Sequence, residues 1–183
     1  MKIEPLRIAD VLLLTPQVHG DARGLFFEAW NARDFAAAGL AATWVQDNMS
    51  ESQRGVLRGL HCQVRQVQAK LVRCVAGSVF DVAVDVRAQS PTFGQWCGAP
   101  LDAQAQQSMW IPAGFAHGYY VLSERATVHY KVTDYHSPAD ERCLQWDDPD
   151  VGIPWPLIGV APPMLAAKDR RGASLVQARE WFR

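Results

Sequence analysis

The chain has 183 residues, 49% of them hydrophobic, and a formal net charge of −1. That length suffices for one domain over residues 1–183 with a real core, and that charge gives no global attraction to nucleic acid or an anionic membrane. An anionic ligand must therefore be met by a local cluster of arginines and lysines. The opening MKIEPLRIAD lacks the apolar run of a signal peptide, and no stretch approaches the ~18 apolar residues of a membrane span. Cys62, Cys74, Cys97 and Cys143 show no CxxC spacing, so four reduced thiols in a cytoplasmic protein are expected.

Ile8 to Pro16 has the composition of a first strand. HGDARG, His19 to Gly24, follows as a turn, with glycines and an aspartate to supply unusual backbone angles. Leu25 to Trp30 reads as a second strand. Asn31 stands where an N-cap belongs, an alanine-rich run follows, and Gly39 closes it, which predicts one short helix over Ala32–Ala38. From Thr43 the signals are β. Segments near 43–50, 56–63, 68–76, 78–87, 93–100, 107–111, 117–123 and 126–136 are separated by Gly, Pro, Ser or Asp. Many short strands with one helix predict an all-β sandwich or barrel.

The clearest alternation runs from Ser78 to Arg87. Phe80, Val82, Val84 and Val86 fall on one face, and Asp81, Ala83, Asp85 and Arg87 on the other. With Ala76–Ser78 as a hairpin turn, Lys70, Val72 and Cys74 share the face of Asp81, Ala83 and Asp85. Pattern alone leaves two readings of that polar face open, a solvated exterior or a functional interior. Past Pro149 the regular pattern fades. Ile153–Pro163 reads as an ordered extended loop, because Trp155 and its aliphatic neighbours call for burial, and Ser174–Arg183 as a short C-terminal helix.

Four stretches carry chemistry. In GVLRGLHCQ, His61 and Gln63 alternate onto one side of a strand. Two histidines so spaced would converge on a metal. Gln63 is a poor ligand for a transition metal, and Lys70, near the position of a third ligand, repels a cation. No metal is expected. Taken alone, His61 also fits a hydrogen-bonded core histidine. In IPAGFAHGYY, turn chemistry explains Pro112 and Gly114 but not His117, which enters a strand beside two tyrosines. In HYKVTDYHSPADE, Tyr130, Val132 and Asp134 share a face; a tyrosine in a barrel strand is most often core with its hydroxyl satisfied. AAKDRRG is a polar cluster in a tail, and charged tails are usually solvated.

Together these stretches resemble the dTDP-4-dehydrorhamnose 3,5-epimerase family of the cupin superfamily. DARGLFFE, QDNMSES, GVLRGLHCQ, QAKLVRCVAGSVFDVAVDVR, SPTFG, IPAGFAHG, YKVTDY and a late KD follow in the family's order over nearly the whole chain. The resemblance implies a cupin jelly-roll barrel with a few short peripheral helices. It also implies a homodimer with strands exchanged across the interface, and neither metal nor organic cofactor. The implied substrate is dTDP-4-dehydro-6-deoxy-D-glucose, whose C4 ketone makes the hydrogens on C3 and C5 acidic. Inverting both carbons gives dTDP-4-dehydro-L-rhamnose.

By the same resemblance His61 is the base, Asp169 its dyad partner, Lys70 the cation on the enolate oxygen and Tyr130 the acid on the opposite face. Arg23, Phe26, Glu28, Gln46, Asn48, Arg58, Gln63, His117, His136, Glu141 and Lys168 match substrate-contact positions. Three departures stand out. His136 lies where the family commonly has an aromatic residue that stacks on thymine, with Tyr135 one step earlier. MLAAKD lacks a serine often found two residues before the lysine. Cys62 replaces a common aromatic. The first departure keeps a mono-epimerase, inverting C3 or C5 only, as the alternative within the enzyme class. A non-catalytic sugar-nucleotide-binding cupin would not need His61, Lys70, Tyr130 and Asp169 together. Gln63 and Lys70 speak against a metal-dependent oxygenase.

Overall fold

The computed structural model describes residues 1–159 and 162–182. Their alternating sequence forms thirteen strands: β1 (Lys2–Pro5), β2 (Leu12–Thr15), β3 (Val18–Asp21), β4 (Gly24–Phe27), β5 (Gln46–Gln53), β6 (Leu57–Gln63), β7 (Lys70–Ala76), β8 (Ser78–Asp85), β9 (Trp96–Asp102), β10 (Ser108–Ile111), β11 (Phe115–Val121), β12 (Arg125–Val132) and β13 (Glu141–Cys143). They assemble as a six-stranded sheet β1-β2-β10-β7-β12-β5, a five-stranded sheet β13-β6-β11-β8-β9, and a separate β3-β4 ribbon. Neighbours pair antiparallel throughout.

Three apolar layers hold this all-β jelly-roll barrel together. Between the sheets, Val72, Cys74, Met109 and Val128 of one meet Val79, Ala83, Leu101, Tyr119 and Val121 of the other. Outside the five-stranded sheet, Leu57, Val82, Val84 and Tyr120 are covered by Leu144, Trp155, Leu175 and Ala178 of the C-terminal segment. Outside the six-stranded sheet, Leu14, Leu71 and Trp110 pack on Phe35 and Leu40. Each Val, Leu, Met or Phe among them contributes roughly 1.5–3 kcal/mol when fully buried. Phe35 comes from helix α1 (Ala32–Ala37), whose N-cap Asn31 accepts from the Arg33 and Asp34 amides.

The polar face of β8 is interior: Asp81 and Asp85 are fully buried. Ala76–Ser78 is not a hairpin turn, because β7 and β8 belong to different sheets. The chain crosses between sheets at Gly77, which has φ +74° and packs against the Arg125 carbonyl so closely that no Cβ fits. Lys70, Val72 and Cys74 thus face Asp81 and Ala83 across the barrel instead of lying beside them. A period of two is the same for both arrangements, so the register alone could not choose.

Several boundaries also differ from the sequence reading. The first apolar segment is strand only over Leu12–Thr15, after a turn closed by Leu6 N–H to Val11 O. HGDARG is mostly hairpin strand, with Ala22 and Arg23 at its tip. The helix expected over Ala32–Ala38 stops one residue earlier. In the tail, only Leu175–Ala178 is α-helix (α2), capped by Ser174 and Gln177, and Arg183 lies outside the described residues. The Ile153–Pro163 loop runs extended and buries Trp155, with Val160 and Ala161 outside the described residues.

Candidate active site

Residues of both sheets line a cavity of about 550 Å³. His61 enters it from β6. Asp169, in the 3₁₀ turn Asp169–Arg171, comes from 108 residues further on and places Oδ1 2.7 Å from His61 Nε2. The tail delivers it because both flanks are tied to the barrel. Leu57 N–H donates to Met164 O and Met164 N–H to Gly55 O. Beyond the turn, Ala173 N–H donates to Cys143 O and Gln145 N–H to Ala173 O. Gly172 fits there because a Cβ would stand 2.5 Å from the Gln145 nitrogen. Asp169 is 2% exposed. A carboxylate on Nε2 fixes that nitrogen as the donor and leaves Nδ1 as the acceptor.

Lys70 and Tyr130 come from the facing sheet. Lys70 starts β7 between Ile111 and Val132, and its Nζ reaches across to donate to the His61 carbonyl at 3.2 Å. Burial pushes its ammonium below the usual lysine range. Tyr130 lines the cavity from β12, and its hydroxyl has no hydrogen-bond partner among the described residues. Burial, reinforced by Tyr119 nearby, pushes its phenol above the ordinary value near ~10 that the sequence suggests. The group therefore stays protonated across the neutral range.

The remaining walls are polar and mostly pre-paired. His117, 6% exposed, sets Nε2 3.0 Å from both oxygens of Asp81. Burial nevertheless lowers its pKa, so the ring is neutral. Gln46 Nε2 donates to Asn48 Oδ1, and Gln46 Oε1 accepts from the His136 amide. Gln63 spends its amide on two loops, donating to the carbonyls of Gln66, just after β6, and of Tyr135, and accepting from Ser137 N–H. It holds the 134–137 loop, and His136 with it, more than it offers contacts to a ligand. Arg58 stands at the rim on Ser52 Oγ. Lys168 Nζ lies 2.9 Å from both Glu141 oxygens. Burial pushes the Glu141 carboxyl up, but Lys168, His61 and His136 together outweigh it and hold it below the usual range.

Three residues expected at the site are elsewhere. Arg23, Phe26 and Glu28 lie on or just after the β3-β4 ribbon and do not line the cavity of their own chain. Phe26 is 73% exposed, and Arg23 is paired with Asp21 at the ribbon tip. Other residues at the cavity wall or just behind it escaped the sequence reading. Tyr119 donates to or accepts from Ser50 Oγ at 2.7 Å. Asp81 was visible on the polar face of the alternation, which the pattern left open between exterior and interior, but not as the partner of His117. Cys143 sits on β13, a three-residue strand too short to leave a periodic signal. With His61 and Asp169 it forms the one group of possible metal ligands found among the described residues.

A family model described as dTDP-4-dehydrorhamnose 3,5-epimerase matches residues 5–177. A dTDP-4-dehydrorhamnose 3,5-epimerase of Pseudomonas aeruginosa is 55% identical over 97% of this chain and 98% of its own. A crystal structure of a dTDP-6-deoxy-D-glucose-3,5-epimerase from Legionella pneumophila, in complex with dTDP-4-keto-L-rhamnose, superposes with a TM-score of 0.92. It is 45% identical and covers 96% of this chain and 93% of that one. A 3'-monoepimerase from Streptomyces bikiniensis in complex with dTDP-quinovose gives a TM-score of 0.88 at 36% identity, over 95% and 88% of the two chains.

Proposed function

The chain belongs to the dTDP-4-dehydrorhamnose 3,5-epimerase family and is an isomerase of that type, and we propose that it inverts both C3 and C5 of dTDP-4-dehydro-6-deoxy-D-glucose through the residues just described. The observation that supports this most is the division of groups between the sheets. A histidine–carboxylate pair stands on the five-stranded sheet. A cation and an unpartnered phenol stand on the six-stranded sheet, across one cavity.

His61 Nδ1 takes the proton from the carbon next to the ketone, with Asp169 holding the ring and stabilising the imidazolium that forms. Lys70 meets the negative charge that develops on the C4 oxygen. A donor aimed at that position typically contributes about 3–4 kcal/mol. Tyr130 donates a proton to the other face of the planar enolate, which inverts the carbon; His61 then releases the proton it took to solvent and Tyr130 regains one from solvent, which resets the site. A base and an acid on opposite walls are what inversion needs; a single group would favour return to the original face. Arg58 and Lys168 at the rim suit the diphosphate, where guanidinium forks fit phosphate oxygens. Asp81 keeps His117 Nε2–H as a donor, so His117 offers its other nitrogen as an acceptor for a sugar hydroxyl.

The same reading makes the working unit a homodimer with exchanged strands. The β3-β4 ribbon exposes Val18, Leu25 and Phe26, and the eight-residue β5 is a free edge of its sheet. A ribbon donated by a second copy would bring Arg23, Phe26 and Glu28 to a cavity they do not reach in their own chain.

In D2O without added metal, the protein is expected to place deuterium at both C3 and C5 of this substrate. Label at one carbon only would replace the double inversion with the single one of a monoepimerase. No label at either carbon would remove the catalytic reading.

A further inference from the structure

Beside His61 and Asp169, outside the lining of the cavity, stands a thiol that none of these steps uses. Cys143 on β13 stands directly opposite His61 on β6. Leu60 and Leu144 exchange both of their backbone hydrogen bonds, at 3.4 and 2.8 Å. His61 and Cys143 are therefore the adjacent non-hydrogen-bonded pair, in which side chains stand closest. Asp169 meets the same two residues from the tail. One ring nitrogen of His61, Cys143 Sγ and one oxygen of Asp169 all lie within 4.8 Å of one another. The thiol's polar contact is weak, 3.6 Å from Sγ to the Leu144 carbonyl.

We propose that His61, Cys143 and Asp169 form a binding site for a soft divalent cation, zinc above all, with its fourth position open to the cavity. Imidazole, thiolate and carboxylate are all zinc donors, and three protein ligands plus an open position describe an accessible site, not a closed structural one. Ligand atoms around a tetrahedral zinc stand roughly 3.3–3.8 Å apart, given bonds of about 2.0–2.3 Å. Closing the trio takes shifts on the order of an ångström at side-chain ends. Asp169 and the Cys143 thiolate together balance the charge of the ion, which offsets repulsion from Lys70. Binding forms one bond from each ligand, releases the Cys143 thiol proton to solvent, and oxidises or reduces nothing. The set owes nothing to Gln63: it is built across two strands, not along one.

An occupied site leaves His61 unable to act as base. The ion is therefore a reversible inhibitor, a consequence that rests on the function proposed above. Binding itself does not, and the test separates the two. Chelator-treated full-length protein is titrated with cadmium and followed by the ultraviolet absorption of a cadmium–thiolate bond. The band is expected to saturate at a single cadmium per chain. It should vanish in Cys143→Ser, persist in Cys62→Ser, which alters the thiol that lines the cavity, and need about tenfold more cadmium or higher in His61→Asn. Circular dichroism checks that each variant folds. Zinc should then suppress deuterium exchange into substrate, chelator should restore it, and Cys143→Ser should exchange normally while resisting about tenfold more zinc. A band that survives Cys143→Ser, or that depends on Cys62, overturns the site. A band with the expected dependence but no effect on exchange leaves the site standing and removes His61 from the role of base.

Discussion

Replacing Tyr130 by phenylalanine takes one oxygen from the cavity wall and little else. The hydroxyl has no hydrogen-bond partner among the described residues, so no buried group is orphaned and the change in stability should stay within about 0.5 kcal/mol. The effect on turnover should be large. A positioned general acid contributes typically 10²- to 10⁴-fold, equivalent to about 2.7–5.4 kcal/mol of barrier. The two half-reactions should part company. His61, Asp169 and Lys70 remain, so the enolate still forms. His61 is partly open to solvent, with 22% of its side chain exposed. Its captured proton can exchange before it is returned to the face it left. In D2O, Tyr130→Phe should therefore deuterate recovered substrate at close to the wild-type rate while inverted product falls by about 10²–10⁴. Proton magnetic resonance of the substrate and product pools reads both. If deuteration of substrate falls in parallel with product, Tyr130 acts in forming the enolate and its assignment as the opposite-face acid is wrong.

Lys70→Met should lower exchange at both carbons by about 10²–10³ and, at neutral pH, raise the melting temperature. Burial holds the folded-state pKa of Lys70 below its unfolded value. Between those two values the unfolded chain binds more protons, so the wild type gains stability as pH rises, and the advantage of Lys70→Met should fade towards pH ~10.4. Thermal melts across pH check the sign, and a lower melting temperature for the variant at pH 7 would contradict it. If the ribbon is exchanged between copies, Arg23→Ala and His61→Asn, each nearly inactive alone, should complement when unfolded and refolded together. Random pairing then makes about a quarter of sites intact, read as deuterium exchange; no recovery would place Arg23 outside the partner's cavity. His136→Tyr should strengthen dTDP binding by roughly 3- to 10-fold, from about 0.5–1.5 kcal/mol of added aromatic contact, measured by calorimetry. An unchanged affinity would mean that residue 136 does not meet the base.

What the sequence made legible follows from what period two can carry. The alternation of Phe80, Val82, Val84 and Val86 marked a strand with an apolar face, and the structure has it as β8. It also put Lys70 and Asp81 in one environment, but through the wrong connection, since facing across a barrel and lying side by side give the same pattern. The pairing of His61 with Asp169 had no periodic trace at all. Only the resemblance to a family linked them. Its physical cause is a tail fastened by two single-residue bridges, Val56 with Met164 and Leu144 with Ala173, each too short to imprint a pattern. Arg23, Phe26 and Glu28 match family positions yet stand away from the cavity of their own chain; only the ribbon exchange proposed above would bring them to one.

The sheet crossing at Gly77 bears directly on the chemistry. Had β7 and β8 paired as a hairpin, Lys70 would have stood on the wall that carries His61. The crossing instead sends Lys70 to the six-stranded sheet, between Ile111 and Val132 and two strands from β5. From there its Nζ leans back to the His61 carbonyl. That bond holds the ammonium on the His61 side of the cleft, although its stem starts on the facing sheet. In the double inversion proposed above, C3 and C5 share one C4 oxygen, so a single cation at that oxygen serves the enolate from either carbon. The loss of exchange in Lys70→Met should therefore be parallel at C3 and C5, measured separately by proton magnetic resonance. A loss confined to one carbon would refute that shared role.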